Sequence, residues 1–182
     1  MLELWPLVRE QVPDAEFVHT YAPVYDRIAD HDPTVRAHRQ KIRKLADQPR
    51  VRSLSGLAQP KLAELMRSSL VWAHPSFSTR YGTRMMETSC IGAMEAQAAG
   101  CCVVAASWGA LSETVQVGRL IEGDPAQGPF RERFTDAIVV GLTDERIQAR
   151  AQTEGPEIAS GWGWDGVAEM VSALVDPALM SG

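Results

Sequence analysis

Residues 87–115 read ETSCIGAMEAQAAGCCVVAASWGALSETV, and this stretch decides the fold. It begins with small and apolar residues suited to a helix, breaks at Gly100, and continues as an apolar strand over Cys101–Ala106. A turn through Ser107–Leu111 then leads to an acidic corner at Glu113. Helix, strand and loop in this succession are typical of one half of an α/β nucleotide-binding unit.

The predicted helix over Thr88–Ala99 contains one formal charge, Glu95. At about 100° per residue, Glu95 shares a helix face with Gly92 and Ile91, a surface of low relief that another backbone or a flat ligand can approach. A carboxylate placed there needs hydroxyl or amide donors. Glu87 lies just before the helix, whose first amides form an anion site. Taken singly, each glutamate is equally well explained as an ordinary surface acid.

The order of these residues resembles the donor-nucleotide half of the retaining GT-B glycosyltransferases, in particular the large family four. In that family a pair of glutamates separated by seven residues leads into the motifs EAMAxGxPVVA and GGLPE. Here Glu87 and Glu95 are followed by AQAAGCCVVA and then by GALSET. The paired glutamates alone would be weak evidence, whereas the ordered composite over about thirty residues is a strong signal.

The resemblance implies a single donor-nucleotide-binding domain over residues 1–182. Its expected fold is α/β, with a Rossmann-like parallel sheet of about five strands flanked by helices, and with the first central strand of the GT-B C-terminal domain missing. The implied reaction moves a sugar, of hexosyltransferase type, from a nucleoside diphosphate sugar to a hydroxyl acceptor with retained configuration. The resemblance implies no cofactor and no bound metal. It also implies an acceptor domain upstream, so we expect this chain alone to be an inactive fragment.

The same resemblance assigns roles to individual residues. Glu87 would be the catalytic residue that orients the donor sugar, and Glu95 would accept hydrogen bonds from the two ribose hydroxyls. Amides near Cys90 and Ile91 would receive a phosphate oxygen. The other expected donor-binding residues are Gly56, Leu57, Ser76 and Gly109, with Leu57 lying against the nucleobase.

Two of these assignments have plain structural alternatives. Gly56 and Leu57 are also what a simple strand-to-helix turn with a buried leucine would contain. The loop over residues 77–86 is longer than the family pattern, and its Arg80 and Arg84 could contact a diphosphate by paired hydrogen bonds. A flexible surface loop explains both arginines as well, and we favour that interpretation.

Composition excludes several classes of protein. With 45% hydrophobic and 23% charged residues, the 182-residue chain can form a globular core. A net charge of -5 argues against a nucleic-acid binder. Cys90, Cys101 and Cys102 form no CxxC pair and are interpreted as reduced core residues of a cytoplasmic protein. No apolar run reaches the length of a transmembrane segment. A homodimer remains open.

Other α/β functions were weighed against the motifs. A dehydrogenase needs GxGxxG after a strand, and a flavodoxin-type module needs a phosphate loop after its first strand; the sequence contains neither. Two alternatives stay open. One is a non-catalytic nucleotide-binding or interaction domain on the same scaffold, and the other is a sugar-nucleotide epimerase.

The missing strand leads to a prediction about the sheet. The strands expected at Ala15–Thr20 and Leu70–His74 would flank it, and an open gap costs about 1 to 3 kcal/mol per unsatisfied buried group. We therefore expect these two strands to pair with each other, giving the flavodoxin-like order 2-1-3-4-5. The alternative is a strand inserted from a second copy or from an upstream partner.

Two further expectations concern the chain outside the site. The segment Ala22–Asp32 is expected to be a polar loop. In the last helix, predicted over Trp164–Leu174, an apolar stripe that includes Met170 and Val171 predicts packing against the domain, with Trp162 and Trp164 as anchors.

Overall fold

The structure is a computed structural model that describes residues 1–75, 78–80, 83–85 and 87–174. The described strands are β1 (Phe17–Tyr21), β2 (Val51–Ser55), β3 (Val71–His74), β4 (Ser78–Arg80), β5 (Thr83–Met85), β6 (Cys102–Ala106) and β7 (Gly118–Ile121). The described helices are α1 (Trp5–Gln11), α2 (Val24–His31), α3 (Pro33–Ala46), α4 (Gln59–Arg67), α5 (Ile91–Ala98), α6 (Leu111–Thr114), α7 (Gly128–Thr143), α8 (Glu145–Ser160) and α9 (Trp164–Leu174). Parallel strands flanked by helices confirm the predicted α/β fold.

The parallel strands form two sheets. β1 pairs with β2 from Phe17 opposite Val51 onward, and β3, β6 and β7 form a second sheet with β6 in the middle. β4 and β5 form a separate antiparallel pair. The strand order on each side is the predicted one, so the five parallel strands agree with the expected sheet except at its centre.

The expected pairing of β1 with β3 is wrong. Both strands belong to the described part of the chain, and their strand partners there are β2 and β6. A cavity of about 1020 Å³ is lined by residues of both strands. The two halves are held by a shared core in which Trp5 and Val8 of α1 pack with Phe130 and Phe134 of α7. Residues of both sheets, among them Phe17 and Val71, pack against this core.

β6 lies at the centre of the packing, with all five residues buried. Val103 and Ala105 join a core with α5, while Cys102 and Val104 join the core with α1 and α7. Alternate residues point to opposite faces of a strand, and here both faces are covered by helices, which explains the unbroken apolar run. Cys90, Cys101 and Cys102 are all free and buried, as predicted.

Two local predictions need correction. The stretch expected to be a polar loop contains α2, which closes against α3 through bonds from the Arg36 side chain to the carbonyl oxygens of Ala29 and Asp30. Apolar and charged residues are mixed in this eight-residue helix, and Ala29 is buried. α5 begins at Ile91, three residues later than expected, so the N-cap is Cys90.

The last helix does not pack as its apolar stripe predicted. Trp164 is 86% exposed, and Met170 and Val171 are 60% and 53% exposed, so Trp164 is not a docking anchor. α9 follows α8 after a short turn, and Val167 on the same stripe is only partly buried. Within the described chain, none of the helices combines the length and apolar character that crossing a bilayer requires.

Candidate functional site

The predicted site residues follow the carboxyl ends of three strands. Gly56 and Leu57 come directly after β2, Glu87 follows β3 and its hairpin, and Gly109 follows β6. In parallel α/β sheets, ligands bind in the crevice outside the carboxyl ends of the strands. These loops therefore form the candidate site.

Glu87 connects two of these loops. Its backbone oxygen accepts a 2.8 Å hydrogen bond from the Ala110 amide. This bond holds the turn at Gly109 beside the start of α5, and Gly109 adopts a left-handed φ of 56° that glycine accepts at little cost. The Glu87 carboxylate is 25% exposed and lies 3.9 Å from His74 Nε2, at the end of β3.

His74 is neutral at this site. Burial lowers its pKa, and the attraction of the Glu87 carboxylate, which acts in the opposite direction, is the smaller effect. The ring stacks on Trp72 at a centroid distance of 5.0 Å. Its Nε2 is buried and has no hydrogen-bond partner among the described residues. A neutral imidazole nitrogen beside a carboxylate can hydrogen bond a ligand, and His74 was not among the predicted site residues.

The N-terminus of α5 opens to solvent. Cys90, the N-cap, makes no side-chain capping bond, and Ile91 is 64% exposed. The Ala93 amide donates to the backbone oxygen of Cys90 at 2.9 Å, so the amides of Ile91 and Gly92 are the candidate donors for a ligand in this turn. Burial, with a smaller contribution from the Glu87 carboxylate, raises the pKa of the Cys90 thiol, so the thiol is protonated. The first turn of α5 therefore presents amide donors and no anion of its own at Cys90.

Glu95 is tied to the opposite side of the site. Its Oε1 accepts a 3.3 Å hydrogen bond from Gln59 Nε2 at the start of α4. Gln59 lies two residues after Leu57, which is half-buried, and Gly56 turns the chain with a left-handed φ of 64°. Sequence reasoning missed Gln59, although the need of Glu95 for an amide donor was the available signal.

The low-relief face of α5 is partly occupied by protein. A Cβ atom at Gly92 would lie 3.1 Å from Cζ2 of Trp72. The indole of Trp72 therefore takes the close approach that the small residue allows. A ligand near Glu95 would meet the helix beside this contact.

Three of these side chains could also hold a metal ion. His74, Glu87 and Cys90 each offer one ligand atom, and these atoms lie within 4.8 Å of one another. Imidazole, carboxylate and thiolate together suit Zn²⁺. The Cys90 thiol would first have to lose its proton. The absence of a bound metal stays a prediction.

Three predicted residues are not tested by this geometry. Ser76 lies outside the described residues. Arg80 and Arg84 lie in β4 and β5, where Arg80 is opposite Thr83 and Arg84 opposite Thr79. The predicted surface loop thus contains a short antiparallel pair, and the contacts of the two arginine side chains with a diphosphate stay a prediction.

No family model matches the chain. Comparison with curated proteins finds relatives that are named as glycosyltransferases. A D-inositol 3-phosphate glycosyltransferase of Kribbella flavida is 31% identical over 137 residues, covering 75% of this chain and 30% of that protein. A protein of the same name from Corynebacterium glutamicum is 28% identical over 145 residues, covering 78% of this chain and 32% of that protein. The chain thus spans about a third of the length of the curated relatives it matches.

A solved structure supports the fold. Sucrose-phosphate synthase from Thermosynechococcus elongatus aligns with 95% of this chain and 49% of its own, at a TM-score of 0.62 and 19% sequence identity. At this identity the likeness shows the fold alone. Sequence relatives and structural neighbour agree, and the chain is therefore homologous to glycosyltransferases and has the fold of a GT-B C-terminal domain.

Proposed function

We propose that the chain binds the nucleoside diphosphate sugar donor of a retaining, hexosyltransferase-type glycosyltransferase. The observation that supports this proposal is the hydrogen bond that holds Glu87 beside the Gly109 turn at the start of α5, the helix that also bears Glu95. The two carboxylates can accept hydrogen bonds from hydroxyl groups, and the amides at the start of α5 can donate hydrogen bonds to phosphate. A nucleotide sugar needs both kinds of contact within one molecule.

Each group fits one part of such a donor. The two oxygens of Glu95 can each accept a hydrogen bond from a ribose hydroxyl, with Gln59 holding the carboxylate. The amides at the start of α5 suit a phosphate oxygen, because the helix dipole also favours negative charge there. Leu57 would pack against the base. The Gly109 turn would lie beside the sugar.

Glu87 is the proposed catalytic residue. Its carboxylate is half-buried and its backbone is fixed by Ala110, so it can orient the donor sugar and stabilise positive charge that develops near the leaving phosphate. His74 Nε2 can hydrogen bond the ligand beside it. No general base is needed from this part of the protein, since the acceptor hydroxyl would enter from the other side of the site.

The rest of the enzyme is also a proposal. The relatives are about two and a half times as long as this chain, which supports an acceptor domain upstream that forms the second wall of the site. We place the complete enzyme in the cytoplasm, where nucleotide sugars are available. The donor, and no separate cofactor, would be its small-molecule partner.

Glu95→Gln tests the ribose contact. In a longer form of the protein that includes the upstream domain, we expect nucleotide binding to weaken by about 1 to 3 kcal/mol, because the amide keeps one acceptor and loses the charge. Calorimetry with UDP-glucose, GDP-mannose and ADP-glucose as probes would measure this. The free energy of unfolding should barely change, since Glu95 is not in the core.

The matched control is Glu132→Gln, the same change at an exposed site on α7. It should leave both affinity and stability unchanged. Equal affinity of the Glu95→Gln and original proteins for every probe would show that the ribose assignment is wrong. Donor binding without sugar transfer in the longer protein, with Glu87 intact, would favour the non-catalytic alternative instead.

A further inference from the structure

Three side chains of different chemistry meet between the end of β3 and the start of α5. His74 is the last residue of β3, Glu87 follows the hairpin, and Cys90 is the N-cap of α5. One ligand atom from each lies within 4.8 Å of the other two. Imidazole nitrogen, carboxylate oxygen and sulfur are the atoms that bind Zn²⁺ in proteins. Donor binding gives a role to Glu87 but none to the Cys90 thiol.

The spacing of His74 and Glu87 fits an ion better than a direct bond. His74 Nε2 and Glu87 Oε2 are 3.9 Å apart, which is too long for a hydrogen bond. Nε2 is nevertheless buried, and the described part of the chain offers it no hydrogen-bond partner. Two tetrahedral ligands, each about 2.1 Å from Zn²⁺, lie about 3.4 Å from each other. Small side-chain rotations would therefore bring the two atoms to the separation that an ion between them requires.

The fold holds the three ligand residues in place. The His74 ring stacks on Trp72 at a centroid distance of 5.0 Å, and their strand is bonded to β6. The backbone oxygen of Glu87 accepts the 2.8 Å bond from Ala110, and Cys90 is fixed at the start of α5. Ligands that are positioned before the ion arrives lose less conformational freedom when it binds.

Charge and ligand type indicate the class of ion. Zn²⁺ bound by the Glu87 carboxylate and the Cys90 thiolate forms a site without net charge, which suits a place where the ligands are partly or fully buried. The thiol loses its proton when the metal binds. Mg²⁺ and Ca²⁺ prefer a shell of oxygen ligands, whereas this cluster has one carboxylate. Three protein ligands leave the fourth tetrahedral position open to water.

We propose that His74, Glu87 and Cys90 bind one Zn²⁺ ion, which excludes the nucleotide-sugar donor by engaging Glu87. The exclusion rests on the proposed function, whereas the metal site itself does not. A coordinated carboxylate has lost its free charge and no longer orients a sugar, and His74 Nε2 is engaged as well. The ion is thus an inhibitor and not a cofactor, which agrees with the metal-free reaction that the family resemblance implies.

Titration of the 182-residue chain with Zn²⁺ tests the site. We expect one ion per chain by calorimetry, and His74→Gln and Cys90→Ser should each raise the Kd at least about tenfold, because each removes a ligand. Mg²⁺ and Ca²⁺ at the same concentration should not bind. The matched control is His38→Gln, at an exposed site on α3, which should leave the Kd unchanged. An equal Kd in the original chain and all three variants would overturn the site.

Co²⁺ covers a variant that folds poorly, because it reports on the ligands of the original chain. A thiolate bound to Co²⁺ gives sulfur-to-metal charge-transfer absorption in the near ultraviolet, and Zn²⁺ should displace this signal. Cys90→Ser should lose the absorption although the buried Cys101 and Cys102 remain. A Co²⁺ complex without this absorption in the original chain would exclude Cys90 as a ligand and overturn the proposal.

Competition with the donor is measured in the longer protein that includes the upstream domain, with UDP-glucose, GDP-mannose and ADP-glucose as probes. At a Zn²⁺ concentration about ten times its own Kd, the apparent Kd of the donor should rise about elevenfold. Cys90→Ser should show no such rise, and it also controls for Zn²⁺ bound by free nucleotide. Unchanged or tighter donor binding with Zn²⁺ in place would overturn the exclusion. A longer protein that binds no donor would contradict the proposed function and the exclusion with it, whereas the Co²⁺ spectrum would still support the metal site.

Discussion

Gln97 is the polar side chain on which the packing of α5 depends most. It is fully buried, and its amide makes four hydrogen bonds. Nε2 donates to the oxygens of Ala93 and Thr114, each at 3.0 Å, and Oε1 accepts from the amides of Gln116 and Val117, each at 2.9 Å. The Gln97 side chain thereby provides hydrogen-bond partners for three backbone groups in the segment that leads into β7.

Replacing Gln97 with leucine should therefore be costly. The change leaves a buried carbonyl and two amides without their partner, and each such group costs about 1 to 3 kcal/mol. We expect a loss of at least about 2 kcal/mol in the free energy of unfolding, measured by urea denaturation. Gln40→Leu, at an exposed site on α3, is the matched control and should change stability by less than about 0.5 kcal/mol. Equal stability of the two variants would contradict this account of Gln97.

Two histidines give the chain a predictable response to acid. Burial lowers the pKa of His74, and burial followed by the positive amino terminus lowers the pKa of His19. Below about pH 6.5 the unfolded chain therefore binds protons that the folded chain does not bind, so stability is present above this pH and falls as the pH drops toward the lowered values. Urea denaturation between pH 5 and 7.5 should show this slope. A His19→Gln, His74→Gln double variant should reduce it, and an unchanged slope would exclude both groups as its source.

At the scale of elements, the contact between α5 and α8 is unusually close. A Cβ atom at Gly155 of α8 would lie 2.4 Å from the backbone oxygen of Gln97. Gly155→Ala must therefore push the helices apart, and we expect a loss of about 1 to 3 kcal/mol by thermal or urea denaturation. Gly128→Ala on α7 is the control, since nothing lies within 4 Å of the added atom there. If the Gly155 variant were as stable as the control, the two helices would be packed less tightly than described.

The elements that could be predicted from sequence are those with a strong local signal. The apolar run of β6 formed a buried strand, as expected. α2 was missed because its charged residues were interpreted as a loop, whereas the Arg36 side chain of the next helix bonds to the carbonyl oxygens near its end. The stripe of α9 was periodic but unpacked, because periodicity indicates which face could be buried and not what covers it.

In the candidate site, the motif residues could be predicted from the sequence, whereas their hydrogen-bond and charge partners could not. The motifs predicted that Glu87, Glu95 and Gly109 would belong together, and the Ala110 bond to Glu87 brings two of these loops into contact. The partners of the glutamates could not be read from spacing. Gln59 and His74 lie 36 and 13 residues away from Glu95 and Glu87, and their proximity is a product of the fold. The predicted pairing of β1 with β3 was wrong, because an unpaired strand edge does not by itself determine which strand lies beside it.

For the whole molecule, the candidate site spans the gap between the half-sheets. Leu57 follows a strand of the first sheet, whereas His74 ends a strand of the second, and the bond from Gln59 to Glu95 connects the two sides. Strand hydrogen bonds do not join these sheets within the described chain. The shared core holds the two sheets instead, and a nucleotide bound to this chain would contact one wall of the site.

We accordingly expect the 182-residue chain alone to bind a nucleotide sugar with a Kd of about 1 mM or weaker, equivalent to about 4 kcal/mol, and to transfer no sugar. Titration of UDP-glucose, GDP-mannose and ADP-glucose, followed by NMR, would measure the affinity, and release of nucleoside diphosphate with and without a hydroxyl acceptor would measure turnover and hydrolysis. Glu95→Gln should remove even the weak binding, which separates specific contacts from adsorption. Robust turnover by this chain would mean that its one wall suffices for the reaction, and would contradict the role given to an upstream domain.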